Sequence, residues 1–187
     1  MIGTSDLRKG IKLKIDGAPH MVTDFNFTKP GKGQAVYRCK LKNMLTGNQF
    51  DKTWRSGDKM EKANLRSGKL IYSYVDGEEY VFMDPESYEQ TYIDAKYLGK
   101  QINFLIDDCE CDVLYFEDKA IEVTLPNFVT KEITYTEPGA RGDTTTNVSK
   151  PAQIDTGYEV HVPLFINEGD LIKIDTRTGE YAERVKK

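Results

Sequence analysis

The sequence is poor in the residues that build most metal centres and disulfide frameworks, since its 187 residues include only 2 His and 3 Cys. An odd number of cysteines, with Cys109 and Cys111 only two positions apart, argues against a secreted fold that is stabilised by disulfide bonds. No apolar run approaches the roughly 20 residues that cross a bilayer, and the N-terminus lacks the long apolar segment of a secretion signal. These absences predict a cytoplasmic protein that does not bind membranes.

Candidate catalytic and metal-binding residues are equally sparse. His20 and His161 have no serine or cysteine partner in a recognisable nucleophile motif. Cys109 and Cys111 have only Cys39 as a third thiol, so buried structural thiols are a better interpretation than a metal or redox pair. The paired carboxylates lie in acidic, turn-like runs, where they stay solvated and unsuited to acid–base catalysis. The sequence therefore predicts a protein that is not an enzyme and that carries no metal and no cofactor.

Charge is distributed unevenly along the chain, although the net charge is only -4. Residues 1–66 carry 14 Lys/Arg against 6 Asp/Glu, residues 67–126 carry 4 against 14, and residues 127–187 carry 8 against 10. Because the steps coincide with glycine and proline breaks, we predict three modules of about 60 residues, a marginal size for an independent fold. The basic first module favours contact with a polyanion such as RNA, and a merely solvated lysine-rich surface is the alternative.

The hydrophobic pattern is that of a β protein. The 11 Tyr and 8 Phe favour half-buried pleated surfaces, and short alternating runs are separated by turn residues such as Asp76-Gly77. Such spacing predicts small barrels, with one short helix within 92–106 and a loop from 137 to 152. The predicted strands are 11–15, 20–27, 34–42, 49–54, 70–75, 80–83, 111–116, 120–125, 128–135, 159–162, 171–175 and 181–185.

The most distinctive segment is a loop between two of these strands, which we call the tip loop: Lys29-Pro30-Gly31-Lys32-Gly33-Gln34. Its glycines can adopt positive φ and carry no Cβ, and its proline stiffens the approach, so Lys32 is predicted at the end of a narrow projection. An ordinary hairpin turn needs one glycine and no flanking lysines. A phosphate-binding P-loop requires Gly, four residues and then Gly-Lys-Ser/Thr. Asn26 and Gly33 stand at the first and last of those positions, which disfavours nucleotide binding.

The strand that follows the tip loop alternates cleanly between apolar and charged residues. One face is apolar, and the other face, which we call the basic stripe, carries Arg38, Lys40 and Lys42. Three cations leading away from a lysine-tipped hairpin predict contact with a phosphate backbone and therefore salt-sensitive binding.

Two long motifs resemble bacterial translation elongation factor P. The first is the tip loop together with Ala35. The second begins Lys150-x-Ala152-x4-Gly157-x2-Val160-x-Val162-Pro163-x2-Ile166-x2-Gly169 and continues through 170–181 to Arg184-Val185. The resemblance covers essentially the whole chain. Two departures are that Cys109 and Cys111 are not hallmarks of the family and that Val36 stands where an aromatic residue is common.

The resemblance implies an all-β fold in which an SH3/KOW-like barrel precedes two OB-type barrels, in an L-shaped arrangement that mimics tRNA. It implies a monomer that binds the 70S ribosome beside the peptidyl-tRNA and relieves stalling at consecutive prolines. By motif match, Lys32 is the residue that separate lysine-modifying enzymes alter, and Gln34 favours a lysine-type addition. Tyr181 and Arg184 match residues placed near the small subunit and the tRNA anticodon stem, and Arg177 joins them as a candidate for RNA binding.

The alternative is a generic SH3/OB-type RNA-binding protein without ribosome specificity. It would stack single-stranded bases on aromatic side chains such as Tyr72, Tyr74 and Tyr80. The acidic balance of residues 67–126 argues against this alternative, because phosphates would be repelled there.

Overall fold

The computed structural model describes residues 1–139 and 148–186. β-Strands in three sheets dominate it, so the all-β prediction is confirmed. Within the described part of the chain, no helix is both long enough and apolar enough to cross a bilayer.

Two compact units account for the packing. The first consists of Met1–Ser67 with Leu114–Ile121, and the second of Gly68–Val113 with Glu122–Lys187. The three modules predicted from the sequence, with boundaries near 66 and 126, stay a prediction.

The first sheet carries the predicted hairpin at its centre. Its strands are β1 (Ile2–Gly3), β2 (Lys12–Ile15), β3 (Ala18–Thr28), β4 (Val36–Asn43), β5 (Gln49–Arg55) and β6 (Lys59–Lys62). They are arranged in the order β1-β6-β2-β3-β4-β5. Leu13, Val22 and Leu41 are fully buried and pack with Trp54 and other apolar residues into one core. The outward residues of β4 are charged, as the alternating sequence predicts.

The second sheet is built from hairpins and has the order β11-β10-β7-β8-β9. Its strands are β7 (Leu65–Asp76), β8 (Glu79–Met83), β9 (Gln90–Asp94), β10 (Glu110–Phe116) and β11 (Lys119–Thr124). The predicted short helix is confirmed as α1 (Ala95–Leu98), followed by a 3-10 helix over Gly99–Phe104. Asp94 caps α1, because its Oδ1 accepts a hydrogen bond from the backbone N–H of Lys96 at 3.0 Å.

The third sheet has the order β14-β13-β12-β15-β16. Its strands are β12 (Phe128–Thr136), β13 (Ser149–Ile154), β14 (Glu159–Pro163), β15 (Leu171–Asp175) and β16 (Glu180–Arg184). Ile133, Ile154 and Ile172 are buried at its centre.

The prediction of a loop from 137 to 152 is wrong at its C-terminal end, because β13 begins at Ser149. Residues 140–147 of that loop lie outside the described residues. Two residues made this strand hard to predict from the sequence. Lys150 is a charged residue at a buried position, only 6% exposed, and Pro151 has no N–H for a strand ladder. The buried lysine is satisfied because its Nζ donates to the carbonyl of Glu137 at 2.6 Å.

Within the second unit, the segment before β10 is bound to the third sheet. Lys131 on β12 is buried, and its Nζ donates to the carbonyl of Leu105 at 2.7 Å and to the Asp155 carboxylate at 3.0 Å. The rings of Phe104 and Tyr158 meet edge to face with centroids 4.9 Å apart. These contacts combine a charge-assisted hydrogen bond with an aromatic pair, so they hold the segment before β10 against the third sheet.

Candidate functional site

The tip loop is carried at the end of the hairpin formed by β3 and β4. The strands stay paired up to Thr28 and Val36, so the loop begins directly after a closed ladder. One residue further in, the rings of Phe27 and Tyr37 pack with centroids 5.0 Å apart. Cross-strand aromatic pairs stabilise a hairpin, so the loop has a rigid base. The pairing of Tyr37 with Phe27 depends on strand register and was not predicted from the sequence.

All six residues of the tip loop are exposed. Gly33 has a φ of 128°, and a Cβ built there would lie 3.7 Å from Pro30 Cγ. Gly31 does not use the left-handed region, so only one of the two glycines adopts the positive φ that the sequence allowed. Among the described residues, Lys32 has no hydrogen-bond or ion-pair partner. The loop therefore presents a free ammonium group on a short, stiff projection.

The basic stripe lies on the outward face of β4, where Arg38, Lys40 and Lys42 are all exposed. The stripe is not uniformly positive, because Asp24 on β3 and Asp51 on β5 are both paired in register with Lys40. Directly opposed residues share a face of the sheet, so the two carboxylates flank this lysine. Arg38 and Lys42 have uncharged neighbours in register, so they are the stronger candidates for binding an anion. This difference depends on register and was not predicted from the sequence.

The C-terminal candidates lie in the second unit, and two of them are held by carboxylates. Arg177 follows β15, and its Nε and Nη2 donate to the two carboxylate oxygens of Asp175 at 3.0 and 2.8 Å. The guanidinium also lies 5.8 Å from the centre of the Phe128 ring. The side-chain hydrogen bonds from Arg177 lower the pKa of Asp175 to about 2. Arg177 is thus oriented in advance, while its exposed edge faces solvent.

Arg184 on β16 is oriented in the same manner, because its Nη2 donates to Oδ1 of Asp170 at 2.8 Å. Tyr181, three residues earlier, lines an open groove together with Tyr158, His161 and Phe165. Burial raises the pKa of Tyr181. The structure therefore places Tyr181 in a groove. Both arginines are exposed, and each forms an ion pair with an aspartate.

The turn between β15 and β16 is shaped by one glycine. Gly179 has a φ of 78°, and a Cβ there would lie 2.3 Å from the hydroxyl oxygen of Tyr158. That hydroxyl donates to the carbonyl of Gly179 at 3.2 Å. The close approach fixes the turn that carries Arg177 and starts the strand of Tyr181.

Three family models match successive parts of the chain. They are the elongation factor P KOW-like domain over residues 3–60, the elongation factor P OB domain over 66–123 and the elongation factor P C-terminal domain over 121–184. The chain belongs to the elongation factor P family. It is therefore a translation elongation factor, and the prediction of KOW-like and OB-type barrels is confirmed.

Individual relatives agree with this assignment along the whole length. Elongation factor P of Desulfotalea psychrophila is 53% identical and that of Syntrophus aciditrophicus 51% identical, each over 100% of both chains. The protein from Fusobacterium nucleatum is 47% identical over 97% of both chains.

Solved structures share the fold at lower sequence identity. Eukaryotic translation initiation factor 5A from Methanococcus jannaschii superposes with a TM-score of 0.56 and 22% identity, covering 65% of this chain and 94% of that one. A translation initiation factor eif-5a family protein from Naegleria fowleri gives a TM-score of 0.51 at 20% identity, covering 66% and 96%.

Proposed function

We propose that this elongation factor binds the ribosome beside the peptidyl-tRNA and stimulates peptide bond formation at consecutive prolines, acting as a monomer in the cytoplasm. The observation that carries the proposal is the exposed Lys32, which has no partner among the described residues and stands on a rigid hairpin of an elongation factor. Such a group reaches a neighbouring molecule without first breaking a contact within its own chain.

The mechanism is catalysis by positioning. Proline has a locked ring and a fixed φ, which restrict the geometries in which the reacting atoms align. Holding the acceptor end of the peptidyl-tRNA in one orientation recovers part of that lost alignment, because orienting reactants removes an entropic component of the barrier. Lys32 supplies a cation to the phosphates and hydroxyls there, while the ribosome performs the bond formation.

Modification of Lys32 fits the same role. Lys32 is exposed, so a separate modifying enzyme can reach its Nζ. An added amine-bearing group lengthens the side chain and supplies further hydrogen-bond donors. The strands below the loop stay paired up to Thr28 and Val36, which supports the extended side chain from a hydrogen-bonded hairpin.

The remaining candidates provide docking contacts with RNA. Arg38 and Lys42 lie on the stripe that leads from the tip loop, and both are exposed. Arg177 and Arg184 are pre-oriented by carboxylates, so less side-chain entropy is lost when each binds a phosphate. We further propose the module boundaries 1–66, 67–126 and 127–187, which the family-model ranges support.

The proposal is tested by measuring translation of a reporter that contains consecutive prolines. Lys32→Ala should reduce the yield of this reporter and leave a proline-free reporter unchanged. Lys59→Ala removes an equally exposed lysine on β6 and serves as the charge-matched control. Equal activity of Lys32→Ala and wild type on the proline reporter would contradict the proposal.

The generic RNA-binding alternative predicts a different partner. If it holds, the protein binds free single-stranded oligonucleotides as tightly as it binds ribosomes, and alanine at the exposed Tyr74 weakens both. Co-sedimentation with ribosomes in the presence of excess oligonucleotide separates the two, since only ribosome-specific binding survives the competitor.

A further inference from the structure

Cys109 and Cys111 are the nucleophilic side chains that the proposed function does not use. Both are buried, as predicted, with exposures of 5% and 0%. Their sulfur atoms lie 3.9 Å apart at the start of β10. The sequence interpretation of buried structural thiols assigns no role to this pair.

The two thiols are chemically different. Cys111 Sγ donates its hydrogen bond to Cys109 Sγ, and the Cys109 carbonyl at 3.7 Å is a second acceptor. This hydrogen bond, helped by one from the backbone of Ile106 and by the charge of Lys131, lowers the pKa of Cys109 against the opposing effects of burial and of the Glu110 charge. The same hydrogen bond and burial raise the pKa of Cys111. Cys109 is therefore the more acidic of the two thiols.

The backbone permits the sulfurs to approach. Two residues that are two apart within a strand have Cα atoms about 6.6 Å apart, close to the upper limit for a disulfide. Cys109 lies outside β10, directly after Asp108, whose φ of 58° belongs to a turn. Its backbone is held by two hydrogen bonds, one from its N–H to the Ile106 carbonyl at 3.1 Å and one from the Tyr72 N–H to its own carbonyl at 2.9 Å. Rotation of the two side chains must therefore close most of the remaining gap of about 2 Å to a disulfide bond.

We propose that Cys109 and Cys111 form a redox-active dithiol that hydrogen peroxide oxidises to an intramolecular disulfide. The Cys109 thiolate attacks one peroxide oxygen, the O–O bond breaks, and the released hydroxide takes a proton to become water. The resulting sulfenic acid is attacked by Cys111 Sγ. The S–S bond forms as the S–O bond breaks, and the hydroxyl group leaves as a second water with the proton of Cys111. The thiols lose two electrons in total, and the peroxide gains them.

Cys39 provides an internal control. It is fully buried in the core of the first unit, and burial raises its pKa. The rate at which a thiol is oxidised rises with the fraction present as thiolate. The intrinsic nucleophilicity of that thiolate falls modestly as the thiol pKa falls. The lowered pKa of Cys109 and the raised pKa of Cys39 therefore favour oxidation of Cys109 at neutral pH.

The experiment treats the full-length folded protein with hydrogen peroxide, blocks free thiols after denaturation and maps the cysteine peptides by mass spectrometry. In wild type, the peptide containing both Cys109 and Cys111 should carry no blocking group and should weigh about 2 Da less than the same peptide with two free thiols, while Cys39 stays reduced and carries the blocking group. Cys39→Ser should give the same disulfide. Cys111→Ser should stop at a Cys109 sulfenic acid, trapped by a 1,3-diketone probe.

The wild-type measurement tests the disulfide between Cys109 and Cys111 even if a cysteine variant fails to fold. Absence of the disulfide, or oxidation of Cys39 as fast as Cys109, overturns the proposal. The readout does not involve Lys32 or translation, so failure of the proposed function leaves this result unaffected.

Discussion

Replacing Gly179 by alanine tests how the C-terminal turn is built. The substitution places a Cβ only 2.3 Å from the hydroxyl oxygen of Tyr158, at a residue with a backbone φ of 78°. The tyrosine cannot simply swing aside, because its ring packs edge to face against Phe104 with centroids 4.9 Å apart. The variant must therefore either shift the turn or displace a packed ring.

The expected loss of stability comes from three effects. An alanine in the left-handed region costs about 1–2 kcal/mol. Losing the hydrogen bond from Tyr158 to Gly179 costs about 1 kcal/mol. Disturbing the pair with Phe104 adds about 0.5–1.5 kcal/mol. The sum is about 3 kcal/mol, which corresponds to more than a hundredfold change in an equilibrium constant.

Gly169 offers a matched control within the same unit. Its φ is 81°, and a Cβ there meets no atom within 4 Å. Gly169→Ala therefore bears only the backbone cost of about 1–2 kcal/mol. The difference between the two variants isolates the close approach of Tyr158.

Native-state hydrogen exchange of peptides covering β15 and β16 measures both changes. Exchange should accelerate about a hundredfold in Gly179→Ala and about tenfold in Gly169→Ala. Tyr158→Phe removes the hydroxyl, so Gly179→Ala should cost less in that background than in wild type, a coupling that a double-mutant cycle detects. Equal effects of the two glycine variants would refute the role assigned to Tyr158.

Two further predictions concern charged residues. Arg38→Ala should lower the slope of log binding constant against log salt for ribosome binding by about 1, whereas Lys59→Ala should leave it unchanged. The pKa of Asp175 is lowered to about 2 from an ordinary 3.8, so its pairing with Arg177 stabilises the folded state fully above about pH 4. That contribution is lost as pH falls towards 2. Titration of the Asp175 carboxyl by NMR checks this, and a midpoint near 4 would contradict it.

The sequence predicted the features that depend on local periodicity. The alternation in β4 placed one apolar face inside, where Cys39 and Leu41 are buried, and the basic stripe outside, because side chains in a strand alternate between faces. The tip loop was recognisable because glycine and proline act on the backbone wherever they stand.

Sequence reasoning failed where distant residues decide the outcome. β13 was missed because its inward positions include Lys150, and a buried lysine is tolerated there because the Glu137 carbonyl accepts a hydrogen bond from its Nζ at 2.6 Å. The flanking of Lys40 by Asp24 and Asp51 follows from strand register, which the turn lengths and the core set together.

The sequence by itself thus determined a β protein with a lysine-tipped loop on a basic stripe, since those properties follow from the residue order within single strands and turns. Tertiary structure decided which cations are free. It left Lys32 without a partner among the described residues, flanked Lys40 with carboxylates, and held Arg184 against Asp170. It also brought two thiols of different acidity to 3.9 Å. The physical reason is that ion pairing and thiol acidity depend on distances between side chains, and folding sets those distances.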